Sequence, residues 1–216
     1  MRTGLWKFFL VIGILLAQMA AATADAEGMS DADIKAAYYA SYKSERAGNY
    51  KQAAADIEPV YKAYPAGYTV NVRLGWLYYL DGKHTNSKYY YENATKASQY
   101  SVDAKLGYTL PLMAQQEWAK VEEVCQQVIK IDYYNYLGNL RLAYAMRLGG
   151  KFGPAGDVAK KMLAIHPGDT SFLTELALDL EGTGDKKNPP LIYLDILTLD
   201  PQNSTALAKL APASKK

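Results

Sequence analysis

The chain is poor in the residues that carry out chemistry. Among its 216 residues there is one cysteine, Cys125, and there are two histidines, His84 and His166. A single cysteine excludes an intrachain disulfide even in an oxidising compartment, so stability must come from packing. No cysteine or carboxylate at ligand spacing accompanies His166, and paired metal sites are absent, which leaves no zinc-type site to propose. Glycine-rich phosphate loops and the HExxH pattern are also missing. No catalytic residue, metal or cofactor is therefore assigned, and the chain is read as a non-enzyme. One-signed charge is scarce as well: 24 basic residues face 22 acidic ones, for a net charge of +2, with no lysine or arginine block. That balance disfavours nucleic acid as a partner. What is abundant is apolar and aromatic. Half the chain is hydrophobic and nineteen residues are tyrosine, enough to bury a core at this length.

The first 26 residues differ from the rest. Arg2 and Lys7 precede an uninterrupted apolar run of ten, Phe8 to Ala17, and small residues follow at Ala24 and Ala26. This is the layout of a secretory signal peptide cleaved before Glu27, with a position before Asp25 as the alternative. The alternative, an N-terminal membrane anchor, is disfavoured because a bilayer span needs about 20 apolar residues. The expectation is a periplasmic or secreted chain with no stable membrane insertion after cleavage.

The remainder is periodic. Gly48, Gly82, Gly150 and Gly184 are 34, 68 and 34 residues apart, and Gln116 occupies the missing step. Two residues after each come Tyr50, His84, Trp118, Phe152 and Lys186, and Pro65, Pro167 and Pro201 fall late in their units. Five units tile the chain without insertion: 34–67, 68–101, 102–135, 136–169 and 170–203. A lead-in (27–33) precedes them, and a short capping helix and tail (204–216) follow. Each unit reads as helix, turn at the glycine, second helix, turn near the proline. Helices of this length are marginal alone, so each must bury its apolar face on a neighbour. Small residues recur at the eighth position (Ser41, Gly75, Thr109, Ala143, Ala177) and apolar ones at the twenty-seventh (Val60, Ala94, Val128, Met162, Ile196). His84 takes the place of a turn aromatic, and Cys125 that of a core residue. Pro111 should bend the first helix of unit three, and Lys186 should leave the last turn poorly anchored.

The period, the glycine-plus-aromatic turn and the late proline resemble the tetratricopeptide repeat family, most clearly in unit two at Leu74, Gly75, Tyr78, Gly82, Tyr91 and Ala94. The resemblance implies an all-α solenoid of five helix-turn-helix units, in which first helices line a concave surface. In that family, positions 2, 5, 9, 12 and 13 of each unit face a ligand. Carried over residue by residue, the fifth position gives Tyr38, Val72, Leu106 and Leu140, and the ninth gives Tyr42, Trp76, Leu110 and Tyr144. The twelfth gives Tyr79, Met113 and Arg147. These are the candidate groove residues, apolar in the middle and charged towards the ends, where Glu45 and Glu181 share the twelfth column. The family's clamp for a C-terminal carboxylate is not expected, because Tyr38, Tyr42 and Gly107 stand where cations would help.

A second apolar stripe opposite the hairpin core needs a partner of its own. The leading expectation is a scaffold that binds a protein or peptide in this groove. A carbohydrate or lipid ligand in an envelope export machine is the alternative, and self-association through another copy's terminal helix is a third. In RLGWLYYLDGK, Arg73 to Lys83, Leu74, Gly75 and Tyr78 are then core, whereas Trp76 and Tyr79 face the groove.

Overall fold

A computed structural model describes residues 28–211; the leader assigned above and the end of the tail lie outside them. These residues form eleven helices and no strand. In order they are α1 (Asp31–Arg46), α2 (Tyr50–Ala63), α3 (Tyr68–Leu80), α4 (His84–Ala97), α5 (Val102–Ala114), α6 (Trp118–Ile131), α7 (Tyr136–Leu148), α8 (Phe152–Leu163), α9 (Thr170–Gly182), α10 (Asn188–Leu199) and α11 (Ser204–Leu210). The odd-numbered helices up to α9 are the first helices of the five hairpins.

The last residue before a first helix usually caps it. The side chains of Ser101, Asn135, Asp169 and Asn203 accept from backbone N–H groups one turn on, which satisfies donors that the helix itself cannot. Ser30 does the same for α1, so that helix begins at Asp31, three residues ahead of the start of unit one. Between the helices of a hairpin the chain passes through a left-handed residue. Gly48, Gly82, Gly150 and Gly184 have φ of +73°, +71°, +76° and +87°, and at the step without glycine Gln116 adopts φ +58°.

Tyr50, His84, Trp118 and Phe152 are each the first residue of a second helix. In unit five, where Lys186 replaces the aromatic, the second helix starts only at Asn188. There the Asp185 carboxylate accepts from the backbone N–H groups of Lys187 and Asn188. A polar cap thus stands in for the ring. Both α2 and α5 continue through their prolines, Pro59 and Pro111.

Consecutive helices pack along the whole chain, and first helices also touch the next first helix: α3 with α5, α5 with α7, α7 with α9. The core sits between the helices of each hairpin and continues from one hairpin to the next. Ile57, Leu74 and Leu77 fill it at one end, Leu112, Val121, Cys125 and Leu142 in the middle, and Tyr193 and Ile196 at the other. Helix α11 closes that end by burying Ala206 and packing Leu210 on the last cluster. Cys125 is fully buried, and burial pushes its thiol up to about 12, far from a reactive thiolate.

Candidate partner-binding groove

The candidate residues all lie on first helices, and the structure divides them. Tyr38, Tyr42, Val72 and Trp76 line one cleft of about 630 Å³ between α1 and α3, together with Glu45, Tyr68, Thr69 and Arg73. Met113, Leu140 and Tyr144 line a second of about 420 Å³, with Leu137, Arg141, Thr170, Ser171, Thr174, Glu175 and Asn203. Tyr79, Leu106, Leu110 and Arg147 line neither cleft, although each is half-buried on the same first helices. One greasy column in the sequence is therefore two clefts with a packed stretch between them.

The rings are only partly available. Tyr42 is 43 % exposed, whereas Tyr38, Trp76, Tyr79 and Tyr144 are half-buried. Trp76 packs against two neighbouring core clusters, tilts 5.9 Å from Tyr79, and donates its indole N–H to Glu45 Oε1 at 2.7 Å. It is a wall of the cleft and part of the core at once. Tyr78, read as core, is half-buried and stacks parallel to Tyr90 at 5.3 Å. Tyr144 meets Trp118 edge-on at 5.7 Å and lies beneath the Arg147 guanidinium, 5.2 Å away.

Charge organises both clefts, through residues that the apolar columns did not reveal. Arg73 is buried; its guanidinium pairs with Glu45, donates from Nε and Nη2 to Ser41 Oγ at 3.1 and 3.0 Å, and sits 4.0 Å over the Tyr42 ring. Burial opposes ionisation of Glu45, but hydrogen bonds from Trp76 and Arg73 outweigh it and hold the carboxyl below its ordinary range. Glu175, on the wall of the second cleft, accepts two bonds from Arg147 outside that lining, at 2.8 and 3.1 Å. Burial disfavours the Arg147 cation, and Glu175 more than compensates.

Arg73, Arg141 and Glu175 occupy the sixth position of their units. The ion pairs Glu45–Arg73, Arg147–Glu175 and Glu181–Lys209 join a twelfth position to the sixth of the next unit, 28 residues on. Complementary charges 28 apart were the available signal. Behind this row Asp179 is almost fully buried, and neither carboxylate oxygen has a partner among the described residues. Burial, reinforced by Glu175 and offset by Arg147, pushes its pKa up to about 7.

A different aromatic concentration lies on the second helices. Tyr61 and Tyr89 share a hydroxyl contact at 3.3 Å, and Tyr90 meets both rings edge-on. Their cleft, of about 430 Å³, includes Pro65, Asn93 and Lys96. The sequence pattern did not separate these tyrosines from core. Among the described residues, no helix is long and apolar enough to cross a membrane.

Stacked helix-turn-helix hairpins of this period, with left-handed turns and first helices in contact, define a tetratricopeptide-repeat solenoid, and that is the fold of this chain. Solved structures with the same fold include a MamA protein (17 % identity, TM-score 0.71, covering 85 % of this chain and 98 % of that one). MamA from Desulfovibrio magneticus RS-1, from residue 41 to its end, superposes with a TM-score of 0.74 at 12 % identity, over 82 % of this chain and 99 % of the other. YrrB, described as a TPR protein with an unusual peptide-binding site, gives a TM-score of 0.69 at 11 % identity, over 78 % and 87 %. No protein-family model matches the sequence, and no curated protein does.

Proposed function

We propose that the chain is a non-catalytic scaffold, exported to the periplasm or beyond, that binds a protein or peptide along its first-helix face. The observation that carries this reading is the N-terminal cleft. There the exposed ring of Tyr42 is held against Arg73, which Glu45 and Ser41 fix in turn, so an apolar and aromatic surface is presented in one geometry before anything binds. Preorganisation of this kind lowers the ordering cost of association. The aromatic-plus-arginine composition is that of interface anchors. The repeat solenoid supports the same reading, since such folds bind through their extended inner surfaces. A peptide-binding site is described for YrrB, which shares the fold. The apolar start of the sequence supports export.

The test is selection from a displayed random peptide library on the wild-type chain and on Tyr42→Ala. Peptides should be enriched by the wild type and bind the variant at least about tenfold more weakly, the loss of one good anchor. Equal binding would remove the N-terminal cleft from the assignment, and equal binding by Tyr144→Ala as well would remove the first-helix face.

The alternative, a carbohydrate ligand, has one observation in its favour. The cleft of Tyr61, Tyr89, Asn93 and Lys96 joins exposed aromatic ring to amide and ammonium groups, a chemistry that stacks on and hydrogen-bonds to sugars. Binding of oligosaccharides that is lost in Tyr89→Ala and kept in Tyr42→Ala would favour it.

A further inference from the structure

The twelfth position of one unit and the sixth of the next, 28 residues on, form five register pairs along the first helices. Three of the five are ion pairs, and one, Tyr79 with Gly107, carries no charge. The remaining pair places Arg141 on the lining of one cleft with Met113, a thioether with no charge to offer. Arg141 turns its Nη1 to the Leu106 carbonyl at 2.6 Å and to Thr109 Oγ1 at 2.7 Å. Its Nε and Nη2 have no hydrogen-bond partner among the described residues, and neither is among the enclosed orphan atoms. The side chain lines the 420 Å³ cleft. Glu175, on the same lining, is already held by two bonds from Arg147, so it leaves the Arg141 charge unbalanced. Burial also lowers the Arg141 pKa; Cys125, Tyr79 and Tyr91 oppose that shift in part, and none of them is a carboxylate.

We propose that Arg141 selects the charge of the occupant. The C-terminal cleft takes an acidic side chain from within the bound peptide, and an apolar neighbour of that residue rests on Leu137 and Leu140. The inference deepens the peptide-groove reading above and rests on it. A guanidinium with two free donors matches one carboxylate in a bidentate fork. Leu137, Leu140 and Tyr144 line the cleft with apolar surface around the pair, and Thr174 and Asn203 supply neutral polar groups at the wall. A carboxylate at the end of a chain would ask for more cations, and the first-helix positions that might have added them hold Tyr38, Tyr42 and Gly107.

The experiment uses the chain exported with its own leader, purified, and offered random dodecapeptides displayed within a loop so that none has a free C-terminus. Enriched sequences should carry aspartate or glutamate beside leucine, isoleucine or phenylalanine. By calorimetry, an amidated peptide of enriched sequence should lose about tenfold or more in affinity when its acidic residue becomes the amide, or when the protein carries Arg141→Gln. The two changes together should cost little more than either alone, and Arg141→Lys should keep part of the affinity. If Arg141→Gln fails to fold, the acid-to-amide change against the wild type decides. Enrichment of neutral sequences, or equal binding of acid and amide, overturns the Arg141 assignment and leaves the groove standing. Failure to enrich any peptide, or binding untouched by both Tyr42→Ala and Tyr144→Ala, sinks the groove reading and this inference with it.

Discussion

Trp76 donates its indole N–H to the carboxylate of Glu45, the residue that also pairs with Arg73 from the other side. One acidic side chain on α1 thereby fixes the orientation of both a ring and a guanidinium on α3. Glu45→Gln removes the charge that holds this arrangement while keeping the shape. Arg73 is buried and Glu45 is only 22 % exposed, so the stability cost should be about 1–3 kcal/mol. Peptide binding should fall further than stability does, since Arg73 is freed to leave the Tyr42 ring. Calorimetric affinity and thermal melting, measured on the same variant, separate the two effects.

The Tyr91 ring packs against two first helices where each has a glycine, Gly75 on α3 and Gly107 on α5. A Cβ on Gly75 would come within 2.8 Å of its ring, and one on Gly107 would overlap ring carbons outright. Gly107→Ala should therefore destabilise the chain by about 1–3 kcal/mol, the usual cost of overpacking. Tyr91→Leu, which removes the ring edge, should recover part of that loss in a double-mutant cycle followed by chemical denaturation.

Gln116 holds a left-handed conformation at the one hairpin turn that lacks glycine. Nothing in its setting demands a side chain, since the equivalent glycines face open space: no atom lies within 4 Å of a Cβ built at Gly48, Gly82, Gly150 or Gly184. Gln116→Gly should raise stability by about 1 kcal/mol, as strain relief exceeds the added entropy of the unfolded chain. A lower melting temperature would contradict the assignment of strain to this turn.

Asp179 makes stability depend on pH. Its folded pKa of about 7 lies above the value of about 3.9 expected unfolded, so the native state binds the extra proton between those limits. Stability from this group is complete below about pH 4, is lost as pH rises to about 7, and stays lost above that. Asp179→Asn should flatten that slope and leave the variant about 1–3 kcal/mol more stable than wild type at pH 8. Urea midpoints at pH 4, 6 and 8 check it.

The hairpins were legible because each rests on a local requirement that leaves a residue behind at a fixed interval. Left-handed turns keep Gly82 and Gly150, second-helix starts keep His84 and Phe152, and hairpin cores keep Ala94 and Met162. The exception at Lys186 was visible, but its remedy was not: the Asp185 cap depends on a two-residue delay in helix α10 that no column encodes. The groove was legible only as a set of positions. Burial of Trp76 follows from how neighbouring hairpins press together, which the identity of the side chain cannot report. The ionic ladder escaped notice because its members sit in two columns, and only pairing across units makes Glu45 and Arg73 one feature.

The claim that the first-helix face is the binding surface meets its most direct test in photocrosslinking within the cells that produce the protein. A benzophenone amino acid replaces Tyr42 in one chain and Tyr89 in another, both exposed but on first and second helices respectively. The account expects a discrete protein adduct from position 42 that an enriched peptide competes away, with little or none from position 89. An adduct from position 89 alone, or one from position 42 that the peptide leaves untouched, would contradict it.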